Sequence, residues 1–217
     1  MKATPAGDIG GLRTAEALLD RALTVSPNDP WLLHYLGFAL YREATIRMGM
    51  NGDDVRPTLE RADSILDRSS RFGSIPESHA LRSGLLGMMI GNNPLRGMTL
   101  GPKSGAQMER ALELGPANPR VWMLRGIGAV NTPAMFGGGL DKAEEYLKKS
   151  IELFGTDKPQ PPSPSWGMYE AHVWLGQVYA KQSKKELARA EYQKALAIEP
   201  NDMWTRMSLL PALDKTQ

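Results

Sequence analysis

The sequence predicts an all-α fold in which helical hairpins stack side by side as a right-handed α-α superhelix. Small and apolar residues recur at spacings of three and four along most of the chain, and strand-like alternation of branched residues is absent. This pattern is typical of amphipathic helices. In four places a glycine stands inside such a helix and lets a neighbour approach closely: Gly37, Gly84, Gly126 and Gly176. One hairpin cannot bury its apolar face alone, so several are expected to stack as a solenoid.

The first two predicted segments are a single helix and a complete hairpin. Segment 8–29 carries apolar residues on one helical face, and Pro27 closes its turn. In segment 30–70, Pro30 lies in the first turn of a helix, where a missing N–H is not needed. Pro57 lies in the opening turn of the return helix, which tolerates proline for the same reason. We therefore expect a half-repeat followed by a first full helix pair.

The next two segments, 77–116 and 119–154, are predicted to be hairpins with longer connections. Apolar residues return at helical spacing in the second half of each segment. An insert at 131–139 interrupts the second of them. Because this insert contains Met135 and Phe136, we expect it to fold back against the helices.

The last complete hairpin, 169–202, has the clearest pattern. Leu175 and Gly176 allow close helix contact, and Pro200 stops the second helix. A helix over 203–213 is expected to cap the open end. The second helix presents a stripe of small and aromatic residues to the first: Ala188, Tyr192 and Ala195.

Together these features resemble the tetratricopeptide repeat family, in particular bacterial-type members with extended insertions between helices. The resemblance is closest at 169–202 and covers almost the whole chain, although Ser83 and Arg125 replace the leucine that usually precedes the glycine. The four glycines lie 47, 42 and 50 residues apart, compared with roughly 34 for an uninterrupted repeat. The resemblance implies one domain over 1–217. The surplus residues fall in turn-rich segments that we expect to be structural props: 48–54, 91–101, 131–139 and 155–167.

Composition and motifs argue against several function classes. A net charge of +2 on a nearly balanced set of charges gives no nucleic-acid signature, and no apolar run is long enough to span a membrane. The chain has no cysteine, and its three histidines lie in different hairpins, so we predict no metal site and no cofactor. A phosphate-loop lookalike at 97–104 has Pro102 where a glycine N–H is required. No catalytic set is present, and we predict a non-enzymatic protein.

The first residues, 1–7, lack the apolar core of a signal peptide. The sequence as written is therefore compatible with the cytoplasm, or with the periplasm if a signal peptide had been removed. Neither the compartment nor the oligomeric state follows from the residues.

The resemblance implies an adaptor that binds a protein or peptide partner in a concave groove lined by the first helix of each hairpin. The residues projected into that groove are mostly apolar and aromatic, which favours a hydrophobic peptide or helix as partner. They are His34, Phe38, Tyr41, Leu81, Leu85, Met88, Met123, Ile127, Val130, Val173 and Gln177.

An alternative hypothesis is a small-molecule or lipid-binding protein whose inserted loops roof a pocket. Four cationic residues around the second and third full hairpins could contact an anionic head group: Arg82, Arg96, Lys103 and Arg120. The two hypotheses differ in where the ligand contacts the chain, and the structure bears on both.

Overall fold

The computed structural model describes residues 8–49 and 54–215, which form ten α-helices and no β-strand. The predicted all-α helical-repeat fold is therefore confirmed. Residues 1–7 and most of the 48–54 insert lie outside the described residues. The helices divide into two compact units, Gly7–Pro116 and Ala117–Gln217, and each is described by itself.

The first unit contains one helix and two hairpins, as its sequence pattern predicts. Each helix packs against the next in the chain, and α2 also contacts α4. Fully buried leucines such as Leu36, Leu66 and Leu85 form its core. The helices are α1 (Ile9–Val25), α2 (Pro30–Gly49), α3 (Arg56–Phe72), α4 (Pro76–Asn92) and α5 (Gly97–Leu114).

The second unit contains two further hairpins and a C-terminal helical segment. Its helices are α6 (Pro119–Asn131), α7 (Leu140–Phe154), α8 (Met168–Lys181), α9 (Lys185–Ile198) and α10 (Leu210–Lys215). A π-helical stretch, Thr205–Leu209, leads into α10, and both pack on α9. The contacts between α6 and α7 and between α8 and α9 define the two hairpins, and α7 packs on α8.

Three of the four hairpin glycines lie where no side chain would fit. A Cβ atom added at Gly37, Gly126 or Gly176 would lie within 3.0 Å of a side chain on the return helix. Those side chains are Leu66, Leu147 and Tyr192 respectively. Gly84 is different, because its Cβ would lie 3.3 Å from the ring of Tyr41 on α2 and meet nothing on its own return helix within 4 Å.

The two departures from the family pattern have different packing solutions. Ser83 is buried, and its hydroxyl lies 3.1 Å from that of Ser104 on α5. The guanidinium of Arg125 lies over the ring of Tyr146 on α7, 4.2 Å from its centroid. Polar and cation–π contacts thus take the place of leucine packing in these two hairpins.

Side-chain caps confirm the predicted helix starts. Asp29 accepts hydrogen bonds from the N–H groups of Trp31 and Leu32, both at 2.9 Å. Asn118 accepts from the N–H of Arg120 at 3.0 Å at the start of α6. Such caps satisfy N–H groups that have no partner within the helix.

Two local expectations are wrong. Helix α5 begins at Gly97, so residues 97–101 of the predicted turn-rich segment 91–101 are helical, and Pro102 lies inside the helix. In the 131–139 insert, Met135 and Phe136 are 83% and 73% exposed and do not pack against the helices. The last residue of the insert is tied to α6, because Gly139 N–H donates to the carbonyl of Ala129 at 2.9 Å.

Candidate functional site

The eleven residues projected into the groove divide by their position relative to the hairpin glycine. The residue three positions before each glycine is buried in the core, with at most 3% of its surface exposed. These residues are His34, Leu81, Met123 and Val173, and for them the expectation of an open groove wall is wrong. Tyr41 and Leu85 are also buried.

His34 shows why the early part of the first helix is core. Its Nδ1 lies 2.9 Å from the hydroxyl of Ser78 near the start of α4, and Ser78 lies 2.8 Å from the hydroxyl of Ser69. Ser69 also donates to the carbonyl of Pro30 at 3.0 Å. This buried polar network joins α2, α3 and α4, so His34 holds helices together and presents no surface to a partner.

The residues one and four positions after the glycine are more accessible. Four of these eight positions carry half-exposed apolar side chains from the predicted set, and Gln177 is half-exposed at a fifth. The four are Phe38, Met88, Ile127 and Val130. The remaining candidate groove surface therefore lies toward the C-terminal half of each first helix.

A cavity of about 450 Å³ lies in the first unit, bordered by α3, α4 and α5. Three of the four cations predicted to contact an anion line it. Its apolar wall is Leu86, Met89 and Leu100, its polar lining is Arg82, Arg96, Lys103, Glu60, Asp63 and Gln107, and Ala106 completes it. The two carboxylates and the glutamine carry no signal in the sequence, since no local pattern connects α3 with α5.

The three cations of the cavity are not equivalent. Arg82 Nε lies 2.7 Å from Asp63, and its Nη1 lies 2.5 Å from Asp67, so two carboxylates already neutralise it. Arg96 and Lys103 make no ion pair with a carboxylate among the described residues. Both are accessible to solvent, Arg96 partly and Lys103 more fully.

The fourth predicted cation, Arg120, belongs to a separate buried arrangement in the second unit. It is 3% exposed, its Nη2 lies 2.7 Å from Asp157, and its guanidinium stacks over the rings of Phe154 and Trp166. Loss of Asp157 would leave the charge of Arg120 buried without its partner carboxylate, so this arginine is engaged within the fold. The prediction that Arg120 contacts the same anion as the other three is not supported, because Arg120 does not line the cavity.

Buried carboxylates in the two units have opposite environments. In the first unit, burial and the neighbouring Glu43 raise the pKa of Glu16 to about 7, although Arg61 lies 3.4 Å away. In the second unit, burial raises the pKa of Glu191, but hydrogen bonds from His172 and Lys194 outweigh it and the net pKa is lowered. His172 Nδ1 lies 2.6 Å from the Glu191 carboxylate.

Two further features bear on function. Among the described residues, no group of three or more histidines and acidic residues is placed to bind a metal ion. None of the described helices combines the length and apolar character that crossing a bilayer requires.

Comparison with known proteins identifies the repeat and the fold. The tetratricopeptide repeat model matches residues 169–202. No curated protein matches the chain. Among solved structures, the HusA haemophore from Porphyromonas gingivalis is 28% identical, with a TM-score of 0.67 over 82% of this chain and 87% of that chain.

Two other solved structures share the helical architecture. TTC0263, a thermophilic TPR protein from Thermus thermophilus, is 24% identical, with a TM-score of 0.67 over 94% of this chain and 91% of that chain. Acl4, an assembly chaperone of RpL4, is 12% identical, with a TM-score of 0.53 over 96% of this chain and 78% of that chain. At these identities the similarity concerns the fold, which is typical of non-enzymatic protein-interaction scaffolds. Residues 169–202 are therefore one tetratricopeptide repeat, and the stacked hairpins around it share the helical-repeat fold of tetratricopeptide repeat proteins.

Proposed function

We propose that this protein is a non-enzymatic scaffold that binds a hydrophobic peptide or helix along the C-terminal halves of α2 and α4, the first helices of the two hairpins in the first unit. The observation that carries the proposal is a shared register. In α2, α4 and α6, a half-exposed apolar residue stands one or four positions after the hairpin glycine. These residues are Phe38 in α2, Met88 in α4, and Ile127 and Val130 in α6.

The chemistry of these positions fits helix-in-groove recognition. Aromatic and methionine side chains at an accessible surface supply most of the binding energy in such interfaces, and methionine adapts its shape to the partner. Residues that were predicted to line the groove but are buried, such as His34 and Leu81, belong to the core of the same helices. A partner would therefore contact a smaller set of side chains than the sequence alone predicts.

The test is a peptide selected by display on the wild-type protein and then measured by calorimetry. The double substitution Phe38→Ala with Met88→Ala is expected to weaken binding by about 2 kcal/mol or more. The matched control, Leu18→Ala with Met48→Ala, removes exposed apolar side chains from the same unit and is expected to leave binding unchanged. Equal affinity of the first double variant and the wild type would overturn the proposal.

A second candidate function is small-molecule binding in the cavity of the first unit. Two observations favour it: the cavity has the size of typical ligand sites, and Arg82, Arg96 and Lys103 converge on it. The 28% identical HusA is a haemophore, which makes haem one compound to test. Native mass spectrometry of the purified protein, with and without added haemin, checks the candidate. A bare mass in both samples, and no binding of other small amphiphiles, would argue against it.

A further inference from the structure

We infer that the cavity of the first unit binds an amphipathic anion, with its carboxylate or phosphate group on Arg96 and Lys103 and its apolar body against Leu86, Met89 and Leu100. The inference rests on the proposed small-molecule function and specifies its ligand class. It depends on how charge is distributed around the cavity, on what surrounds Arg96, and on the apolar wall.

The first step concerns charge. The side chain of Arg82 is 20% exposed, and its charge is satisfied by Asp63 and Asp67. Glu60 is the other carboxylate that lines the cavity with Arg96 and Lys103, and it is exposed. Cations without a carboxylate partner beside a partly enclosed space attract an anion more strongly than fully solvated ones, because water screens them less.

The second step concerns the start of α5. Arg96 occupies the N-cap position of α5 without a side-chain cap, and the first turn contains no acidic residue. A helix start carries partial positive charge from its free N–H groups, so a cation there is unfavourable by itself. An anion bound between Arg96 and Lys103 would offset this repulsion. The helix start only supports the inference, which the cavity and its two cations carry.

The third step concerns the apolar part of the ligand. Leu86, Met89 and Leu100 are each at most 8% exposed and line the cavity. On the chain beside Arg96, Leu95 and Met98 are 90% and 91% exposed, an unusual degree for large apolar side chains. A cavity of about 450 Å³ is far larger than an inorganic anion needs. The combination fits a molecule with one anionic end and a hydrocarbon body.

Matched ligands test the inference by isothermal titration calorimetry: dodecanoate, dodecyl phosphate, the neutral dodecanol, and inorganic phosphate. We expect the two amphipathic anions to bind at least tenfold more tightly than dodecanol, and inorganic phosphate not to bind measurably. The difference between dodecanoate and dodecyl phosphate identifies the preferred head group.

Three variants locate the binding charge. Arg96→Gln and Lys103→Met keep most of each side chain but remove its charge, and each is expected to weaken dodecanoate or dodecyl phosphate binding about tenfold. Neither should alter the affinity for dodecanol. The control is Arg110→Gln, which removes a cation from the same helix that pairs with Glu113 and does not line the cavity. Circular dichroism confirms that all three variants are folded.

The outcomes separate the inference from the function on which it rests. Equal binding of dodecanoate and dodecanol, or unchanged anion binding in both the Arg96 and Lys103 variants, would overturn the inference but keep the small-molecule site. Binding of inorganic phosphate as tight as that of dodecyl phosphate would overturn the requirement for an apolar body. Failure of every ligand to bind would overturn both.

Discussion

Two hairpins of this protein, α8–α9 in the second unit and α4–α5 in the first, solve the same packing problem in different ways. In α8–α9, Gly176 lies directly against the buried ring of Tyr192. In α4–α5, the three atoms nearest to a Cβ added at Gly84 all belong to Tyr41 of α2, and a pair of serines, Ser83 and Ser104, joins the two helices of the hairpin.

The return helices of these two hairpins, α9 and α5, also differ in how strongly their residues favour helix formation. Helix α9 is rich in alanine, leucine, lysine and glutamate, which favour helix formation. Helix α5 contains three glycines and Pro102, each of which weakens a helix. The hairpin whose glycine lies against its return helix matches the family model, whereas the hairpin whose glycine faces Tyr41 of α2 borders the cavity. Departure from the repeat pattern thus coincides with the space in which a ligand could bind.

Alanine at the two hairpin glycines tests this contrast and has the largest expected effect. Gly176→Ala should lower the free energy of unfolding by about 2–3 kcal/mol, since the new methyl group overlaps the buried Tyr192. Gly84→Ala should change it by less than about 1 kcal/mol, because contact at 3.3 Å needs only a small shift and alanine favours the helix. Urea denaturation monitored by circular dichroism measures both. Equal costs at the two positions would mean that the hairpins are equally tight.

The two units also differ in how their stability should depend on pH, because each contains a buried carboxylate with a shifted pKa. The pKa of Glu16 in the folded protein, about 7, lies above its unfolded value of 4.5. The folded state therefore holds the proton more strongly, and the associated stability is complete below pH 4.5 and is lost as the pH rises toward 7. Glu16→Gln keeps the uncharged form at every pH. It should therefore stabilise the first unit by about 1–2 kcal/mol at pH 8 relative to the wild type, with little effect at pH 4.5.

Chemical denaturation of the wild type and Glu16→Gln at the two pH values measures this difference. Glu145→Gln provides the control, because Glu145 is exposed and should give no pH-dependent gain. A stabilisation by Glu16→Gln that is the same at pH 4.5 and pH 8 would show that the charge of Glu16 is not its cause.

In the second unit the corresponding change should have the opposite sign. The pKa of Glu191 is lowered, so its carboxylate contributes stability above its unfolded pKa, and that stability is lost as the pH falls through the folded value. Glu191→Gln removes the charge that His172 and Lys194 contact, and should destabilise the protein by about 1 kcal/mol at pH 7. Thermal unfolding at pH 7 checks the sign. A gain in melting temperature would contradict the contrast between the units.

The sequence was sufficient to predict where most helices lie, but it predicted only part of which residues are exposed. Helix positions followed from periodicity and from prolines such as Pro30 and Pro57, because these signals are local. The sequence did not predict which residues of the first helices are buried. Helices α2, α4 and α8 each contact three other helices, and a single apolar stripe cannot show which neighbour covers it. His34 and Leu81 therefore appeared to line a groove although they are core residues.

Charge pairs between residues that are distant in the sequence could not be predicted either, and the cavity provides an example. Arg82, Arg96 and Lys103 lie on consecutive elements of the chain, so nearness in sequence predicted their convergence. Arg120, on the next helix, is instead engaged by Asp157, which comes 37 residues later. Glu16 and Glu43 lie on different helices, and their interaction depends on how α1 packs against α2. Long-range pairs of this kind carry no local pattern.

The smallest expected effect tests whether the glycines of α5 lower the stability of this helix. Gly101 and Gly105 have open space around them, with no atom within 4 Å of an added Cβ. Gly105→Ala should stabilise the protein by about 0.5–1 kcal/mol, because alanine loses less backbone freedom on folding. Gly101→Ala should gain less, because a Cβ on the residue before Pro102 crowds the proline ring in a helix. Hydrogen exchange should slow in α5 and remain unchanged in α9. If neither substitution slows exchange, other contacts already hold α5 firmly, and its glycines do not explain the difference between the two hairpins.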